Sequence, residues 1–174
     1  MQQIDTASFK LSPLGSLIAG QTFYLFEDGQ LSLHVIPDVS DPRHVVTMAL
    51  SGPQAFLLTK RSRIGSSGVL PTGIAPARMR LRLDMASARF SVKEHLVGNV
   101  AVGGNAGGPR ITTAWVGDSP ADVEYSKHGL VLDSWEYVSA ENPVYLFERW
   151  AWSYVDDAGQ WVDLVNRDGV LQEA

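Results

Sequence analysis

Cysteine is absent from all 174 residues, which removes disulfides, thiolate metal sites, iron–sulfur clusters and a thiol nucleophile from consideration. Histidine is scarce. The four that occur, His34, His44, His95 and His128, form neither an i,i+2 strand pair nor an i,i+4 helix pair, so no histidine-rich metal site is expected. No apolar run approaches the roughly 18 residues of a membrane span, and Met1-Gln2-Gln3-Ile4-Asp5 lacks a basic stretch leading into an apolar one. A cytoplasmic chain that touches no membrane is the expectation. Catalytic patterns are missing as well: there is no Gly-x-Ser-x-Gly elbow, Walker loop, His-Glu-x-x-His, dinucleotide fingerprint or calcium loop. The glycine-rich stretches Gly65 to Gly68 and Gly103 to Gly108 lack the Lys-Ser/Thr that would make a phosphate cradle, so no cofactor is expected.

What is present is a globular composition, 45% hydrophobic and 19% charged, outside the regime in which chains stay disordered. Residues 1–174 fit one domain. Amphipathic helices between strands are lacking, which excludes a parallel α/β fold. Strand patterns recur instead. Gln21 to Phe26 and Leu31 to Ile36 flank Glu27-Asp28-Gly29-Gln30, a strong hairpin signal. His44 to Leu50 reads as a third strand that Gly52-Pro53 ends, and Gln54 to Lys60 fits either a short helix or a strand.

Residues 61–77, with three Gly and two Pro, read as a long mobile loop, and 103–109 as a second. Between them, Arg78 to Met85 and Arg89 to Val97 alternate with period two and are expected to pair across a turn at Met85 to Ala88. Ile111 to Val116 is a further strand. Ser119, Pro120 and Gly129 frame a short helix over 120–127, and Leu130 to Val138 returns to strand. A closing hairpin runs from Val144 to Val155 and from Gln160 to Val165 around Gly159. The sum is a mainly β fold: an antiparallel barrel or two-sheet sandwich of about nine strands with one or two short helices.

Tyr-Leu-Phe-Glu occurs at Tyr24–Glu27 and again at Tyr145–Glu148, either a trace of duplication or a chance recurrence.

Two constellations carry the functional expectations. The net charge of −5 hides a segregation: residues 60–93 hold eight Lys/Arg against Asp84 alone, while residues 118–174 hold twelve Asp/Glu against Lys127, Arg149 and Arg167. Arg78, Arg80 and Arg82 project a ladder of guanidinium forks about 7 Å apart, extended by Lys93 and His95. An anion must lie over such a row. It is the acidic end of this chain, another protein or a second copy, or a ligand; nucleic acid is least favoured because the chain as a whole is acidic. The second constellation is aromatic. Trp150, Trp152 and Tyr154 share one face of the last hairpin, with Glu148 beside them and Trp161 on the partner strand, and they form either core or a cavity for a small apolar or aromatic ligand.

Three functions follow from these features. The chain is a contact protein of inhibitor, immunity or adaptor type, a small-molecule binder with a possible isomerase or cyclase activity, or a subunit of a homo-oligomer.

Overall fold

Gly29, in the left-handed region at φ 76°, turns β2 (Thr22–Glu27) into β3 (Gln30–Val35), and the two pair from Glu27↔Gln30 down to Thr22↔Val35. The expected first hairpin is therefore present. The computed structural model describes residues 10–27, 29–38, 43–62, 68–90, 97–103, 108–116, 123–139 and 145–167. Its other strands are β1 (Ser12–Pro13), β4 (His44–Ala49), β5 (Leu57–Ser62), β6 (Gly68–Pro71), β7 (Met79–Leu83), β8 (Ala88–Arg89) and β9 (Val100–Val102). They are followed by β10 (Arg110–Val116), β11 (Val123–Val131), β12 (Tyr137–Ser139), β13 (Tyr145–Phe147), β14 (Trp150–Val155) and β15 (Trp161–Arg167).

Twelve strands form one branched sheet in which β2 to β5 run as an antiparallel meander. One edge of β10 is shared, with Arg110 and Ile111 meeting β9 while Ala114 and Trp115 run parallel to β5. The other edge takes β11 and, beyond it, β12. The remaining sheet is β15-β14-β7.

Among the described residues no pairing joins the ends of either sheet, so the barrel alternative is corrected to open sheets, and about nine strands to fifteen. Three single 3-10 turns supply the only helical residues described. The helix expected over 120–127 is replaced by β11, which starts at Val123 because pairing with β10 overrides the capping signals. Ser119 and Pro120 lie outside the described residues. Gln54 to Lys60 resolves into a turn and then β5, and the first expected loop contains β6.

Among the described residues the hairpin expected across Met85 to Ala88 is not seen. Asp84 caps the 3-10 turn Met85–Ser87, accepting from the Ala86 N–H, and the chain changes sheet: β7 pairs with β14, and β8 with β13. Lys93 and His95 lie outside the described residues. The repeated tetrapeptide has different surroundings in its two copies, with Phe26 exposed in β2 and Phe147 buried in β13.

The main core lies between the two sheets. Val35, Met48, Leu58, Ile111 and Leu130 of the large sheet meet Met79, Trp150, Trp152 and Val165 of the small one. Burying each tryptophan is worth about 5 kcal/mol before entropy is counted. A smaller cluster, with Leu14, Phe23, Leu25, Ile36, Val45 and Val69, covers the opposite face of β2 to β4.

Two aromatic residues hold left-handed backbone, Phe56 at φ 65° and Trp135 at φ 62°, a conformation bulky side chains rarely take. Each packs against one tryptophan of β14: Phe56 against Trp150, with ring centroids 5.6 Å apart, and Trp135 against Trp152, at 5.1 Å. Each also presses on a left-handed glycine, Phe56 on Gly98 and Trp135 on Gly20. Trp150 Nε1 donates to the Gly98 carbonyl at 2.9 Å, and Arg167 Nη1 donates to Val97 at 3.1 Å while its guanidinium covers the Phe56 ring.

A Cβ on Gly98 would collide with Phe56 and Arg167, whereas one on Gly29, also left-handed, would meet nothing. Gly98→Ala is expected to cost about 2–4 kcal/mol in urea denaturation and Gly29→Ala about 1 kcal/mol. Equal losses would mean that the Phe56–Gly98–Trp150 contact carries no special share of the stability.

Candidate functional site

Pairing of β7 with β14 places Arg80 opposite Ser153 and Arg82 opposite Ala151, on the face of the small sheet turned away from the core. The acidic end of the chain then comes to the arginines. Arg82 Nη2 reaches Asp163 at 2.5 Å, its Nε donates to Ser153 Oγ at 3.2 Å, and Ser153 Oγ donates to the same Asp163 oxygen at 2.5 Å. Arg78 Nη1 pairs with Asp157 at 3.1 Å, and its Nη2 donates to the Val155 carbonyl. Just outside the row, Arg89 pairs with Glu148 at 3.1 Å and Arg149 with Asp84 at 2.8 Å.

Arg80 differs from its neighbours. Its Nη1 donates to the backbone carbonyls of Ala77 and Met79, and it makes no ion pair among the described residues. Nε and Nη2, the bidentate edge of the fork, have no partner among the described residues.

The aromatic residues divide. Trp150 and Trp152 are core and Tyr154 packs partly buried against it, whereas Trp161 pairs with Val155 at the hairpin tip and stands 43% exposed on the other face. Glu148, held by Arg89, lies between β13 and β14 outside that row. Trp152 nevertheless reaches a pocket of about 350 Å³. Its walls are Pro76, Ala77, Met79, Arg80 and Leu81 on one side and Leu132, Asp133 and Trp135 on the other. The structure thus brings together one member of the arginine row, Arg80, and one of the aromatic row, Trp152. Trp135, absent from the sequence reading, completes the wall; its turn, with the Trp135 N–H on the Val131 carbonyl at 2.8 Å, interrupts what reads as one continuous strand.

A second pocket, about 310 Å³, opens on the other face of the large sheet and was not anticipated. The hairpin register puts Glu27 beside Gln30, Leu25 beside Ser32 and Phe23 beside His34 on that face. Ser32 Oγ and His34 Nε2 lie 2.8 Å apart, with Phe23 stacked on the imidazole at 5.4 Å. Arg61, brought alongside by β4 and β5, forks onto the Glu27 carboxylate, and its Nε donates to Thr47 Oγ1 at 3.1 Å. Burial, followed by the positive charge of Arg61, lowers the His34 pKa to about 4 against an opposing pull from Glu27.

His34 is therefore neutral at pH 7, and its Nδ1 is buried without a partner. An orphaned lone pair costs less than an orphaned N–H, which puts the proton on Nε2, donating to Ser32. In that tautomer His34 takes no proton from Ser32, and the pair is a hydrogen-bonding surface, not an activated nucleophile. The period-two spacing of Ser32 and His34 is visible in the sequence; the approach of Arg61 is not, because it depends on the β4–β5 register.

Among the described residues no group of three or more His, Asp or Glu is placed to hold a metal, and no helix is long and apolar enough to cross a membrane. Comparisons of the chain with family models, curated proteins and solved structures gave no match.

Below pH 6.5 the unfolded chain protonates His34, while the folded chain resists until about pH 4. Stability from this group is complete above that window and falls across it as the pH drops, by about 3 kcal/mol. The stability difference between wild type and His34→Gln, measured by urea denaturation at pH 7 and pH 4, is expected to shrink by that amount. A difference that stays constant with pH would contradict the buried neutral imidazole.

Proposed function

We propose that this chain is a binding protein whose ligand is a small planar molecule carrying a carboxylate, held in the pocket between Arg80 and the Trp135–Trp152 wall. The observation that carries the reading is the position of Arg80. It is the member of the row left without an acid among the described residues, and it lines the same pocket as two tryptophans in tilted contact.

The Nε–Nη2 edge of Arg80 matches a carboxylate bidentately, and the indoles supply apolar area for a flat body. The left-handed Trp135 supports the reading further, because strained backbone of this kind costs about 1–3 kcal/mol and gathers at ligand sites. Macromolecular contact through the whole arginine row loses its motive where Asp157 and Asp163 already neutralise Arg78 and Arg82. An enzymatic role would need an acid or base in the pocket, and Asp133 is the carboxylate lining it.

Titration with naphthoate, followed by tryptophan fluorescence, is expected to quench saturably with Kd below ~1 mM. Arg80→Gln weakens binding about tenfold, and Asp133→Asn tightens it a few-fold by removing a like charge from the rim. Affinity unchanged in Arg80→Gln would remove the carboxylate from this pocket, and absence of quenching in wild type would remove the pocket as the site.

A further inference from the structure

Arg110 opens β10 and lies opposite Ala101 of β9 and Val131 of β11. Alternation puts Ile111 into the core between the sheets and turns Arg110 to the opposite face, where it is 0% exposed. Gly129 makes room for it: a Cβ there would fall 2.9 Å from Arg110 Cδ. Nη1 donates to the Gly103 carbonyl at 2.8 Å, while Nε and Nη2 are buried with no hydrogen-bond partner. Asp133, whose carboxylate lies by Gly108, makes no ion pair with Arg110, nor does any other acid among the described residues.

Arginine does not shed its proton at any ordinary pH, so the buried charge must be compensated. A guanidinium taken out of water with two N–H groups unpaired is costly enough that some anion is required over it. The two unused donors, Nε and Nη2, lie on the same side of the fork and match the spacing of two oxygens of one oxyanion. One carbonyl already fixes the third donor, so the fork is held in place before any ligand arrives.

We infer that the Nε–Nη2 edge of Arg110 is a binding site for a small oxyanion, a carboxylate or a phosphate, separate from the Arg80 pocket. Burial lowers the Arg110 pKa, in keeping with a cation that lacks its counter-charge.

The test is thermal unfolding of wild type and Arg110→Met in chloride, with phosphate, sulfate or acetate replacing chloride at constant ionic strength. Wild type is expected to gain about 3 °C or more, saturably, with at least one oxyanion. Phosphate and acetate as separate arms identify which chemistry the site takes. Arg110→Met is expected to melt no lower than wild type in chloride and to show no oxyanion response, because the substitution removes an uncompensated charge. Arg110→Lys keeps the charge without the fork and should need at least tenfold more oxyanion for half the effect.

An unresponsive wild type would overturn the inference, as would an Arg110→Met protein with the same response as wild type. Unresponsive wild type together with a large loss of Tm in Arg110→Met would show that a carboxylate of the chain itself holds the guanidinium. Should Arg110→Met fail to fold, the wild-type response and its weakening in Arg110→Lys still decide the matter.

Discussion

The seating of β14 between the sheets is the contact on which the rest of the structure depends. Trp150 and Trp152 point from the small sheet into the large one, and each is met by an aromatic residue in left-handed backbone backed by a left-handed glycine. Strain at Phe56 and Trp135 is held by this packing, since neither residue would keep that conformation in an isolated turn. The same contacts set the position of the first half of β14. Trp150, its first residue, is tied to Gly98 and the entry to β9; two residues on, Trp152 and Trp135 form a wall of the pocket that Arg80 also lines. A pocket and a fold junction therefore share one strand.

The charge pattern acquires its meaning from that strand as well. With β14 between β7 and β15, Asp163 comes to Arg82 and Asp157 to Arg78, so a basic segment and an acidic segment distant in sequence become neighbours. The Arg78–Asp157 pair is exposed, screened by salt and contributes little stability, while the Arg82–Asp163 pair is the more buried of the two. Their consequence is for the binding proposed above: neutralising the flanking arginines leaves the fork of Arg80 without an acid among the described residues.

Local signals were readable wherever partners are close in sequence. Asp28-Gly29 announced β2 and β3, and Gly159 the β14–β15 hairpin, because a tight turn fixes its own register. Non-local pairing was not readable. Met79 to Leu83 alternates well, but alternation says only that one face is buried; that β14 rather than the following segment covers it depends on the sheet change after Asp84. The residues over 120–127 carried helix capping signals, and the ladder with β10 prevailed from Val123 onward. Of the candidate site residues, Arg80 and Trp152 meet in one pocket, while Trp161 and Glu148 are placed elsewhere by a strand face and an ion pair that no periodicity reveals. His34 was overlooked as a buried group because its neighbours Glu27 and Arg61 come from strands on either side of it.

If β14 holds the two sheets as one cooperative unit, the buried indole N–H of Trp150, bonded to Gly98, should exchange with solvent only when the whole chain unfolds. Hydrogen exchange of that proton by NMR, set against the unfolding free energy from urea denaturation, measures this directly. Agreement within about 1 kcal/mol is the predicted result. Exchange several kcal/mol easier than global unfolding would show that the small sheet lifts off on its own, and would contradict the central role given to the tryptophans of β14.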